Sequence, residues 1–433
     1  MKQFAKYVSF NILGMLGISC YILADTYFIA QWLGADGITA LNLVIPAYNF
    51  INGLALMLGM GGCTKYIIHR SCQQNRQANQ IFTQVLYLWL ILGILLILTG
   101  LFFSDKIVIL LGADEKTFKM SLIYLKMLLI CSPLFMLNQI LLCFIRNDNA
   151  PELAMKAMLI GSFSNILLDY IFIYLLNIGM FGAVLATCCS PVISMIVLLP
   201  FFLKKQNHFK FVKMRFQFKQ SGYLLSLGGA SFITEFSNGI VILIFNLLML
   251  KLAGNTGVAS YGIIANISLV VTSVWTGIAQ GVQPLLSEAY GQKKSLLLFF
   301  KSACFVIISL FILIYSGIFL FANQIAEIFN QEQDILLQKY AVQGLQYYFS
   351  GAVFAGMNIL ITILFAVIEK PLQSNSISVL RGFILIIPCA FLLANLFHIK
   401  GLWLAYPVTE CLTLLIGIYF LIKNKMQLKN ACQ

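Results

Sequence analysis

Twelve apolar runs of about bilayer length divide this chain, and their rhythm limits its folds more than any other feature. They fall at roughly 7–31, 39–63, 81–103, 121–145, 157–177, 182–203, 222–249, 259–284, 298–321, 341–366, 381–397 and 402–422. About 20 apolar residues wound as a helix cross the hydrocarbon core. Lipid offers no partner for peptide groups, so each such run must bond its own backbone, as a helix does. No polar stretch between the runs is long enough for a soluble domain. Only 10% of the 433 residues are charged, against about 25% in a soluble protein. The expected fold is therefore an all-α polytopic membrane protein with twelve transmembrane helices. Lys2 and Lys6 ahead of the first run suggest a signal peptide. That run is too long and lacks a small-residue cleavage site, so it reads as the first span.

The net charge of +13 raises the question of nucleic acid. The placement of the charges argues against it. Of 28 Lys and Arg, 21 fall on the side of the N-terminus, counting Arg146, Arg381, Lys425 and Lys429, and six on the other, with Lys126 inside the fourth run. That asymmetry is a topology signal and puts both termini in the cytoplasm. The eleven cysteines lie mostly within the runs and form no CxxC pair. His69, His208 and His398 are scattered. Reduced structural thiols are expected, with no cofactor.

Sliding the chain on itself by about 220 residues aligns Gly34 and Gly37 with Gly254 and Gly257, Gly61 with Gly281, and Pro151 with Pro371. At one residue less, GAVLAT at 182 meets GLWLAY at 401. Six spans per copy is an even number, so the copies share one orientation and form a parallel repeat. The expected domains are an N-lobe at 1–203, a basic linker at 204–221 and a C-lobe at 222–433, two six-helix bundles around a central cleft. The linker's charges suit the cytoplasmic face and its anionic headgroups. With no phosphate-binding loop in the chain, an ion gradient is the expected energy source.

Two acids interrupt the apolar runs of the first half: Asp25 in YILADTYFIA and Asp169 in SNILLDYIFIY. A charge at the bilayer core costs a few kcal/mol or more, so intramembrane acids mark ion or proton pathways. Asn165 precedes Asp169 by one helical turn on the same face, and Thr187 lies at similar depth in the sixth run. Two carboxylates, an amide and a hydroxyl suit a proton or a small hard cation. Each has a plainer alternative: a kink-stabilising hydrogen bond for Asp25, packing for Asn165, a bond back to its own helix for Thr187.

The segment Ala24-Asp25-Thr26-Tyr27-Phe28-Ile29 with Leu33-Gly34-Ala35, the pair Gln283-Pro284 with Ala289-Tyr290-Gly291, and Asn165-x-x-x-Asp169 with Thr187 resemble signatures of the multidrug and toxic compound extrusion (MATE) family of the MOP superfamily, closest to its DinF-like and other bacterial members. The resemblance runs through both halves. It implies a cytoplasmic-membrane antiporter that exports organic, commonly lipophilic cationic compounds in exchange for H⁺ or Na⁺. It makes Asp25, Asn165, Asp169 and Thr187 the coupling-ion site and matches Glu235 to an acidic position of helix seven. Glu235 and Glu410 read as second acidic contacts for substrate or proton; a buried, hydrogen-bonded carboxyl is the plainer alternative. The acid that some sodium-coupled relatives carry inside helix ten is absent, since Glu369 sits at the end of that run.

An apolar substrate cleft with a few acceptors is expected, lined by candidates Phe236, Met249, Trp275, Tyr347, Met357 and Asn358. Pro46, Pro133, Pro191 and Pro388 are expected bend points. The remaining expectations are a monomer with a small-molecule substrate and the lipid bilayer as its partners. Competing readings are a lipid-linked oligosaccharide flippase of the same superfamily and a membrane-embedded transferase. The first calls for basic residues in the cavity and the second for a clustered catalytic histidine.

Overall fold

The computed structural model describes residues 1–330 and 333–424. Lys425 and Lys429, counted above with the cytoplasmic charges, lie outside the described residues. What is described is helical almost throughout. The spans are α1 (Lys2–Gly34), α2 (Asp36–Ser71), α3 (Asn75–Phe102), α4 (Glu115–Asn147), α5 (Pro151–Leu175), α6 (Met180–Leu203), α7 (218–253), α8 (255–291), α9 (Leu297–Leu320), α10 (Ile335–Val367), α11 (371–397) and α12 (399–423). Twelve apolar helices among the described residues agree with the twelve runs of the sequence. Short helices at Ser104–Leu110 and Ala322–Phe329 fill the connections after α3 and α9.

Local chemistry sets several helix ends. Asp114 and Thr117 form a capping box at the start of α4: the Thr117 N–H donates to Asp114 Oδ1 at 2.9 Å, and the Asp114 N–H to Thr117 Oγ1 at 3.2 Å. Pro151 and Pro371 open α5 and α11, where the missing N–H costs nothing.

The repeat is written into the backbone. Positive φ occurs at Gly34 and Gly254, at Gln73 and Lys293, and at Asn149 and Glu369, each pair 220 positions apart. Gly179 and His398 pair at 219, with φ/ψ of 66°/−143° and 53°/−135°. The first half places glycine at this strained turn, whereas the second forces a histidine into it. The backbone leaves helical geometry at Gly34 between α1 and α2, at Gly254 between α7 and α8 and at His398 between α11 and α12, whereas Pro46, Pro133 and Pro191 are carried inside helices.

The described residues form two compact units, one ending at Phe236 and the other starting at Ser237, divided inside α7 and beyond the basic segment 204–221. In the first unit the start of α7 lies on α2. Asn52 donates to Glu235 at 3.2 Å, and Phe50 meets the rings of Phe232 and Phe236 at 5.5 and 6.0 Å.

Two expectations change. The eleventh run, expected at 381–397, starts ten residues earlier, at Pro371. One face of its polar first turns is buried: Ser374 and Ser378 are fully covered, and Ser374 donates to the Thr362 carbonyl at 2.8 Å. Arg381, counted as a surface charge of the cytoplasmic side, is therefore inside a helix and 10% exposed. Arg146 is likewise buried at the end of α4 and donates to Asn11 Oδ1 at 2.7 Å. The sign of the charge asymmetry survives without both.

Candidate functional site

The first unit brings together the residues that the sequence singled out. Asp25 on α1, Asn165 and Asp169 on α5, and Thr187 on α6 are all buried, at 7%, 0%, 0% and 4% exposure. With the Asn165 amide turned to satisfy its neighbours, Nδ2 donates to Asp169 Oδ2 at 3.2 Å and Oδ1 accepts from the Thr187 N–H at 3.2 Å. The Asp25 and Asp169 carboxyls are close enough for their charges to interact. Each keeps one oxygen, Oδ1, buried and without a hydrogen-bond partner. An unmatched buried acceptor costs about 1–3 kcal/mol.

Thr187 enters by its backbone. Its hydroxyl donates to the Ala183 carbonyl of its own helix at 3.0 Å, the bond that threonine commonly makes inside a helix. Its N–H reaches Asn165. Pro191 has no N–H to offer the Thr187 carbonyl, which leaves that oxygen outside the helical ladder. Directly after Asp169 the helix widens into a π-helical stretch, Tyr170–Leu175. Such stretches gather at functional positions.

Three tyrosines that sequence reasoning passed over complete the surroundings. Tyr124 of α4 faces the Thr187 hydroxyl and lies near both acids. Tyr21 and Tyr48 share a hydrogen bond of 2.7 Å between α1 and α2. Tyr48 lies near both Asp25 and Glu235. One signal was available: Tyr21 lies four residues before Asp25, on the same face of α1. Glu235 itself takes its hydrogen bond from Asn52.

Glu410 belongs to the second unit and is 3% exposed. Its Oε1 accepts from Arg381 Nε at 3.1 Å and Nη2 at 2.7 Å, and its Oε2 from Asn358 Nδ2 at 2.7 Å. Asn358 also donates to the Glu410 carbonyl at 2.9 Å. Arg381 sits in a second π-helical stretch, Leu380–Ile384. Of the cleft candidates, Met249, Trp275 and Asn358 are buried. Phe236 and Met357 are partly covered and Tyr347 is exposed. Among the described residues no three His, Cys, Asp or Glu side chains are grouped to hold a metal.

A doubled six-helix membrane fold defines a class, the polytopic membrane transporters. The MatE family model matches the chain twice, over residues 11–171 and 230–392, and the chain belongs to that family. The two matches restate the repeat. The chain is 25% identical to multidrug export protein MepA of Staphylococcus saprophyticus, over 97% of this chain and 93% of that one. It is also 25% identical to MepA of Staphylococcus aureus, over 96% and 92%. Among solved structures it is similar to a MOP-superfamily transporter from Pyrococcus furiosus, at 22% identity and TM-score 0.91, and to a multidrug-resistance MATE transporter caught facing outward, also at 22% and 0.91. Each of these comparisons covers 99% of this chain and 96% of the other. They agree with the two-lobe, twelve-helix arrangement.

Proposed function

We propose that the protein is a secondary antiporter of the cytoplasmic membrane. It exports organic, lipophilic cationic compounds in exchange for H⁺ or Na⁺, as a monomer with both termini in the cytoplasm, and without enzymatic chemistry. The observation that carries this reading is the pair of unmatched buried oxygens on Asp25 and Asp169. Relatives named as multidrug export proteins, aligned over nearly their whole length, support the substrate class.

The chemistry follows from desolvation. Two interacting carboxylates out of water are costly together, and either a proton or a cation held between them relieves that cost. Asn165 fixes Asp169 and ties α5 to the Thr187 backbone, so occupancy at the acids is felt on α1, α5 and α6 at once. A ligand shifts a conformational equilibrium only by its differential affinity for the two states. Uptake of the coupling ion favours one opening, and its release with substrate binding favours the other. Glu235 and Glu410 stand as further contacts for substrate or proton. Their exposures differ: Glu235 is partly open, whereas Glu410 is closed by Arg381 and Asn358.

The test is ethidium efflux from intact cells that express the chain. Efflux should stop when an ionophore collapses the cation gradients while ATP is held constant. Continued efflux would assign the energy to another source.

A further inference from the structure

Residues 204–217 connect the sixth helix to the seventh without regular secondary structure, yet they are firmly held. The His208 N–H donates to Asp148 Oδ2 at 2.7 Å, and Arg70 pairs with the other oxygen of that carboxylate. Burial pushes the Asp148 carboxyl above the usual range, although the His208 N–H and Arg70 oppose it. Phe209 is 1% exposed and meets the rings of Tyr66, Phe82, Phe144 and Phe202. The strap then runs along α3. The Lys210 N–H donates to Asn79 at 2.9 Å, the Val212 N–H to Thr83 at 3.0 Å, and the Tyr87 hydroxyl to the Met214 carbonyl at 3.1 Å. At 1.5 Å per residue, Tyr87 lies roughly 18 Å along α3 from its start at Asn75, which takes the strap past the start of the apolar run at 81 and about 9 Å into it.

Exposure along the strap alternates from Phe211 to Phe216. Val212, Met214 and Phe216 turn partly inward, while Lys210, Phe211, Lys213 and Arg215 are exposed. Phe218 and Lys219, at the start of α7, continue the exposed set, with Phe211 at 58% and Phe218 at 84%. No described carboxylate pairs with any of the four cations. Aromatic rings interleaved with cations, at the level where a helix enters lipid, form the chemistry of a membrane interface.

We propose that the outward face of this strap is a binding surface for anionic phospholipid headgroups. The rings enter the interface, and Lys210, Lys213, Arg215 and Lys219 hold the phosphates. The assignment to the cytoplasmic leaflet rests on the topology proposed above, whereas the binding itself does not. The test is native mass spectrometry of the full chain released from detergent micelles, which have no sides, after titration with phosphatidylglycerol or phosphatidylcholine. Phosphatidylglycerol should be retained in preference. The variant K210Q/K213Q/R215Q/K219Q should lose at least about tenfold in phosphatidylglycerol affinity, since each cation near a charged headgroup contributes on the order of a several-fold factor. K106Q/K116Q/K119Q removes charge from the opposite side of the topology and should retain the lipid as the parent does. Equal retention of both lipids overturns the proposal, as do undiminished retention by the quadruple variant and equal loss in the control. So does displacement of the lipid by inorganic phosphate at matched charge. Impermeant-thiol labelling of Lys213→Cys in intact cells, against the parent, tests the sidedness separately.

Discussion

The two halves descend from one repeated design and spend their buried polar groups in opposite ways. In the first unit Asp25 and Asp169 lie near each other, and each leaves an oxygen unmatched. In the second, Glu410 faces Arg381 and Asn358, and its two oxygens take three side-chain hydrogen bonds. One arrangement is left short of a cation. The other already contains one, fixed to the chain. The difference teaches that one repeated scaffold leaves its buried acids unmatched in one copy and closes its buried acid with a fixed cation in the other.

The largest effect should come from the first unit. Asp25→Asn or Asp169→Asn should bring ethidium export in intact cells down to background. Because each removes an unmatched acid, thermal unfolding of the purified variants should occur at or above the parent temperature. Full export by both variants would break the comparison at its root. Arg381→Met should do the reverse to stability. It strands a buried carboxylate, at a cost of about 3–5 kcal/mol, whereas adding Glu410→Met should restore most of the loss. A thermal-shift series of the single and double variants reads this, and equal destabilisation by both would deny the closed pair. Asn358→Ala should cost about 1–3 kcal/mol by the same measurement, since it removes two donors from Glu410. The smallest effect is expected at Thr187→Val. The hydroxyl is spent on Ala183 and the backbone N–H remains, so export should fall by less than about tenfold. A loss as deep as that of Asp169→Asn would place the hydroxyl itself at the ion.

Much of the fold was legible because lipid makes few demands and makes them of every residue in a span. Apolar length gave the helices, and glycine and proline anchors gave the repeat. The register of that repeat reappears in φ at Gly34 and Gly254, and at Gly179 and His398. What escaped was polar sequence that the protein buries in itself. QSNS at 373–376 reads as a loop, yet Ser374 and Ser378 turn inward, so α11 starts early and carries Arg381 with it. Hydropathy does not distinguish a charge in water from one facing a partner 29 positions later. The candidate site was legible in its acids, which stand out against apolar neighbours. Its tyrosines were not, because Tyr21, Tyr48 and Tyr124 are as common in packing as in recognition. The strap at 204–217 showed its charge in sequence but not its anchorage, which depends on Asn79, Thr83 and Tyr87 of a distant helix.

The central claim is that Asp25 and Asp169 together hold the exchanged cation. Its most direct test is purified protein in liposomes, with a proton gradient and a sodium gradient imposed separately, for the parent and for each Asp→Asn variant. The account requires that one of the two gradients drive substrate across the membrane in the parent, and that neither gradient do so in either variant. Gradient-driven transport that persists in both variants would contradict it.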